Sequence, residues 1–81
     1  MIEESLEDRA RSVVAAIFDL PVEKITMQTS DATIEQWDSI HMISLMIALE
    51  SEFGITLDVD EVAELRSVER MVKILRSKGL T

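Results

Sequence analysis

At 81 residues with a formal net charge of -8, the chain has room for one small domain, which excludes a multi-domain enzyme and disfavours unaided binding to the phosphates of nucleic acid. Apolar residues make up 47% of it beside only two glycines and one proline, a composition of helix-rich globular proteins that excludes a disordered tail. The absence of cysteine excludes a disulfide framework and a thiolate metal site, so any reactive thiol must arrive on a cofactor.

The start, Met1 to Ser5, lacks the basic and apolar stretches of a secretory signal, and no apolar run approaches the roughly 20 residues that span a bilayer. A soluble cytoplasmic protein is expected. Charge is uneven along the chain: every acid except Glu69 lies within residues 1–65, whereas Arg66, Arg70, Lys73, Arg76 and Lys78 make the last segment basic. This distribution favours basic partners, steered to the front of the molecule.

The pattern predicts an all-α, four-helix bundle of three longer helices and one short one, without repeats or dividing linkers. The first helix runs from about Ser5 to Phe18, with Leu6, Ala10, Val13, Val14 and Ile17 at helical spacing and Ser5/Asp8 as a capping pair. It stops before Pro21, because the residue preceding proline is steered away from helical geometry. Residues 22–37 read as a long ordered loop pinned by Val22, Ile25 and Ile34.

The second helix is bounded by strong signals, Asp38 as N-cap and Gly54 just past Phe53. A short third helix is expected near Asp60 to Leu65 after extended Ile55-Thr56-Leu57. Ser67 then caps a final helix to about Ser77, with Val68, Met71, Val72 and Leu75 inward. Strict alternation is absent, so no sheet is expected.

Projected at 100° per residue, the second helix carries Met42, Leu45, Met46, Leu49 and Phe53 on a core face, with His41, Ser44, Ala48, Ser51 and Glu52 opposite. Between them Ile40, Ile43 and Ile47 form a second apolar stripe, wider than one buried face requires. An exposed stripe of this kind marks a docking face, with Glu50 at its far end; cover from the third helix or the long loop is the plainer alternative. Ser39 occupies the first position, where unpaired N–H groups and the helix dipole suit an attached phosphate. A serine beside an N-cap aspartate is more commonly just a helix start, so the residues alone leave its role open.

Taken in order, the long helix, the long loop, Trp37-Asp38-Ser39-Ile40, an apolar helix, Ala48-Leu49-Glu50, Phe53-Gly54-Ile55, an acidic turn and Ser67-Val68 resemble the acyl and peptidyl carrier protein family over nearly the whole chain. Asp38-Ser39-Ile40 matches that family's Asp-Ser-Leu attachment motif. The resemblance implies a 4'-phosphopantetheine arm donated by coenzyme A and attached to Ser39 by a phosphopantetheinyl transferase that recognises Asp38. It implies a carrier, with no catalytic residues and no metal of its own, that holds acyl groups as thioesters for loading and processing enzymes of fatty-acid, polyketide or related biosynthesis. Leu45, Leu49, Ile55, Val62 and Leu65 would line an acyl cavity, a role that ordinary core packing explains equally well, and five methionines suit an adaptable interior.

Gln36 stands where many relatives have glycine, and His41 and Ser44 where fatty-acid carriers often present acids, so the docking surface is less acidic than the family's. The Trp-Asp-Ser spelling looks like stand-alone carriers of secondary or cell-envelope pathways. Two alternatives stay open: an aminoacyl, peptidyl or D-alanyl carrier, and an unmodified helical interaction module in which Ser39 only starts a helix. Catalysis finds no nucleophile–base pair, His41 reads as a solvent-face residue or partner contact, and Asp58-Val59-Asp60-Glu61 lacks the glycine turn of a calcium loop. The expected species is a monomer.

Overall fold

The computed structural model describes residues 4–81. Helix α1 (Leu6–Phe18) begins where the Ser5 hydroxyl accepts the Asp8 N–H at 3.1 Å, satisfying one of the first-turn donors that have no partner within the helix. It ends at Asp19, φ 54°, in the left-handed region that aspartate tolerates better than most side chains. The Asp19 and Leu20 N–H groups both reach the Ala15 carbonyl, so the helix closes by its own C-terminal bonds before Pro21 acts.

Pro21 precedes a single 3-10 turn, Val22–Lys24, within the segment that the sequence presents only as loop. Arg11 of α1 holds this turn in place. Its Nε donates to the Ile25 carbonyl at 2.6 Å and one Nη to the Val22 carbonyl at 3.0 Å. Farther on, Thr29 is buried and its hydroxyl accepts the Thr26 N–H at 2.8 Å, while Ile25, Ile34 and Trp37 turn inward.

Helix α2 (Ser39–Phe53) starts at Asp38 and ends at Gly54, φ 64°, as its caps require. Helix α3 (Val59–Ala63) starts and stops earlier than the expected Asp60 to Leu65. The reason is a reciprocal cap: Asp58 accepts the Glu61 N–H at 2.8 Å and Glu61 accepts the Asp58 N–H at 3.0 Å, which fixes the helix start one residue sooner. The acidic turn is thereby explained as helix capping. Helix α4 (Val68–Ser77) begins at Ser67, which accepts the Arg70 N–H at 3.1 Å.

The long loop closes on the start of α4. Carbonyls of Thr29 and Met27 accept the Val68 and Glu69 N–H groups at 3.0 and 3.2 Å, satisfying first-turn donors that Ser67 does not reach. An isolated Ser30–Ser67 bridge is the only β pairing, so among the described residues the protein is all-α, with α1, α2 and α4 long and α3 short. Helix α1 packs on α2 and α4, and α3 packs on α2.

One apolar cluster joins Leu6, Ala10 and Val14 of α1, Leu45 and Leu49 of α2, Leu65 of the α3–α4 connection, and Val68, Met71, Val72 and Leu75 of α4. The basic last segment is largely paired with acids from elsewhere. Arg66 meets Asp31 at 3.4 Å, Arg70 meets Glu64 at 2.9 Å, Lys78 meets Glu61 at 2.7 Å, and Arg76 pairs with Glu7 across the whole length of sequence.

Candidate functional site: the start of α2

Trp37 is buried, and its ring N–H donates to the Leu65 carbonyl at 2.9 Å, tying the residue ahead of α2 to the α3–α4 connection. The chain emerges into solvent at once, so Asp38, Ser39 and Ile40 are all exposed. Asp38 caps the helix through Oδ1, which accepts the His41 N–H at 2.9 Å. The His41 ring nitrogen Nδ1 lies 2.8 Å from the same oxygen, and an ionised carboxylate only accepts, so Nδ1 carries the proton and donates. The backbone N–H of His41, followed by its ring, holds the Asp38 carboxyl below the usual carboxylate range, and attraction between the two side chains adds to the effect.

His41 departs from its expected place on the solvent face. It is half-buried, with its ring stacked on Phe18 at 5.3 Å and 28°, and Phe18 in turn packs against Trp37 at 5.2 Å and 33°. The cause is the end of α1, which lies over that side of α2. Phe18 belongs to this site although no motif marks it; its only signal in the sequence is an aromatic side chain at a helix end.

The aliphatic residues of α2 divide as their spacing indicates. Leu45 and Leu49 are fully buried, Met42, Met46 and Phe53 are half-buried, and Ile40, Ile43 and Ile47 stand 73%, 51% and 58% exposed. On neighbouring α3, Val59 is 84% exposed. No charged side chain lies on α2 between Asp38 and Glu50 other than His41 when protonated. Glu50, expected at the docking face, spends one carboxylate oxygen inside the chain: Oε2 accepts the Leu57 N–H at 2.8 Å and holds the α2–α3 loop.

Leu45, Leu49 and Leu65, expected to line a cavity, are packed with no exposure, and Ile55 and Val62 are partly buried against them. Two grooves among the described residues lie elsewhere. One, about 390 Å³, runs between α1 and α2 past Val13, Ala16, Ile17 and Ala48, and the other, about 410 Å³, lies beneath the 3-10 turn along Pro21, Ile25 and Ile34. Among the described residues, no group of three or more His, Cys, Asp or Glu side chains is placed to hold a metal, and no helix is long and apolar enough to cross a membrane.

Residues 8–75 match the family model described as "Phosphopantetheine attachment site". The chain is 26% identical to an acyl carrier protein of Petrotoga mobilis over 96% of its own length and 92% of the relative's. It is 26% identical to an acyl carrier protein of Thermosynechococcus vestitus, covering 96% of each chain, and 27% identical to one of Lactobacillus acidophilus, covering 95% and 96%. The family's group is a covalent 4'-phosphopantetheine, a phosphodiester to a hydroxyl at one end and a thiol that forms thioesters at the other. The start of α2 fits such a group: it offers an exposed hydroxyl on the first helical residue, and the positive end of the helix dipole faces an attached phosphate. With the match running over most of its length, the chain belongs to the phosphopantetheine-attachment family, a carrier of that covalent arm and not a catalyst.

Proposed function

We propose that Ser39 bears the arm and that the protein carries acyl groups as thioesters to partner enzymes. The observation that carries this reading is the exposed Ser39 hydroxyl at the first position of α2, directly after the N-cap Asp38 and at the head of an exposed isoleucine stripe. In the attachment step the Ser39 oxygen forms a bond to the phosphorus of coenzyme A that bears pantetheine. The bond from that phosphorus to the second phosphate breaks, adenosine bisphosphate leaves, and the serine proton passes to the transferase. The site has no need of its own base. Among its residues, Asp38 holds the first turn and presents a carboxylate to the transferase, and Trp37 holds the segment against the core.

Ile40, Ile43 and Ile47 form the docking face, and Glu50 borders it while bracing the loop. A face without fixed charge over three helical turns favours partners that meet it with apolar surface. Cargo enters the packed zone of Leu45, Leu49, Ile55, Val62 and Leu65 only by parting α2 from α3, a movement that the half-buried Met42 and Met46 ease. The printed names of the relatives favour acyl over aminoacyl cargo, and enzymes of fatty-acid, polyketide or related biosynthesis are the proposed partners of a monomer working in the cytoplasm.

Intact mass tests the reading. Wild type and Ser39→Ala are incubated with coenzyme A, magnesium and a broad-specificity phosphopantetheinyl transferase. The expected result is a gain of one phosphopantetheine by wild type alone. No gain by wild type, while a control carrier is modified, returns the protein to an unmodified interaction module; a gain by both assigns the arm to another residue.

A further inference from the structure

The Asp38 carboxylate is exposed, yet it is held more firmly than a cap requires. An N-cap aspartate ordinarily makes one bond to the N–H three residues on, which leaves the carboxylate free to swing about its terminal torsion. Here Oδ1 takes two donors from one residue, the His41 N–H at 2.9 Å and Nδ1–H at 2.8 Å. Both bonds fall on the same oxygen, so Oδ2 has no hydrogen-bond partner among the described residues. The imidazole is itself restrained, stacked at 5.3 Å on Phe18, which packs on Trp37, which is bonded at 2.9 Å to the Leu65 carbonyl. A chain of contacts thus runs from the α3–α4 connection to the carboxylate beside Ser39. Neither capping nor core packing needs the imidazole-to-carboxylate bond.

We propose that His41 is a positioning residue for modification of Ser39: stacked on Phe18, it fixes the Asp38 carboxylate through Oδ1 and leaves Oδ2 to receive a donor from the phosphopantetheinyl transferase. The inference rests on the reading of Ser39 as the attachment residue and of Asp38 as the group the transferase recognises. His41 does not touch the reacting atoms; it acts through Asp38. The lowered affinity of Asp38 for protons agrees with a carboxylate kept ionised for a donor.

The test is steady-state kinetics of transfer from coenzyme A by a broad-specificity transferase, comparing wild type, His41→Phe, His41→Asn, Asp38→Asn and the double variant Asp38→Asn/His41→Phe. Phenylalanine keeps a flat ring against Phe18 and removes the donor. Asparagine removes the ring and keeps an N–H where Nδ1 stood. His41→Phe is expected to raise KM for the carrier about five- to tenfold, the scale of one ordinary hydrogen bond, with kcat and the helical circular dichroism signal little changed. His41→Asn recovers most of the loss. In the Asp38→Asn background His41→Phe has no further effect on kcat/KM, because the group it positions is gone.

Equal KM for wild type and His41→Phe overturns the proposal, as does a His41→Phe loss that persists in full beside Asp38→Asn, which would mark His41 as a direct contact or a fold-stabilising residue. These failures leave the mass gain at Ser39 intact. Loss of the mass gain in wild type itself overturns the attachment reading and this inference together.

Discussion

Trp37 shows how one side chain joins core and surface. Its ring is buried and its N–H occupies the Leu65 carbonyl, while its own carbonyl leads into the exposed Asp38-Ser39 pair. Trp37→Phe keeps an aromatic ring beside Phe18 but removes the donor from a buried carbonyl. The expected loss is about 1–3 kcal/mol in urea unfolding, the cost of an unsatisfied buried group, and a loss below about 0.5 kcal/mol would show that water replaces the indole at Leu65. His41 illustrates the converse at this scale: a side chain that spacing assigns to solvent is claimed by an aromatic ring from another helix.

At the scale of the element, α2 has a job for every side. Leu45 and Leu49 fill the core, His41 meets α1, and Ile40, Ile43 and Ile47 stay partly in water. Ile43 and Ile47, 51% and 58% exposed, keep only about half of their surface in water, so each contributes roughly half of the ~1.5–3 kcal/mol of a fully buried aliphatic side chain. The double variant Ile43→Ser/Ile47→Ser is therefore expected to lower folding stability by about 2 kcal/mol in total, to which the modest helix preference of serine adds, while the protein stays folded. Its KM as a transferase substrate should rise several-fold, and by about the same factor at low and high salt, because the exchanged side chains carry no charge. A KM equal to that of wild type at both salt concentrations would transfer the docking role to residues off this face.

On the scale of the whole molecule, ion pairs between distant segments reconcile an acidic front with a basic end. Glu61 joins Lys78 and Glu7 joins Arg76. The bond with Lys78 and then the Asp58 N–H lower the Glu61 pKa from its ordinary 4.5; Glu7 is lowered first by its backbone contact and then by Arg76. A carboxyl with a depressed folded pKa contributes stability above its unfolded value and loses that contribution as pH falls through the folded one. Glu61→Gln keeps the reciprocal cap but not the charge. In urea midpoints wild type should exceed Glu61→Gln at pH 6–7, and the gap should close below about pH 4.5 as the carboxylate is protonated; a gap independent of pH would assign the effect to packing.

The all-α class, the N-caps of α1, α2 and α4, the buried stripe of α4 and the division of α2 into two apolar stripes were determined by local sequence alone. Each follows from interactions within a turn or two of helix, where spacing and capping chemistry decide the outcome. The helix start at Asp38-Ser39 was legible for the same reason, since it is a local event, whereas an attachment role for Ser39 came only from the resemblance to carrier proteins. Tertiary structure decided what lies far apart in sequence: Arg11 on the 3-10 turn, loop carbonyls on the first turn of α4, Glu50 on Leu57, and His41 held between Phe18 and Asp38. A helical projection divides one cylinder into faces, but which face meets water depends on where the other helices lie, and that is fixed only when the chain packs.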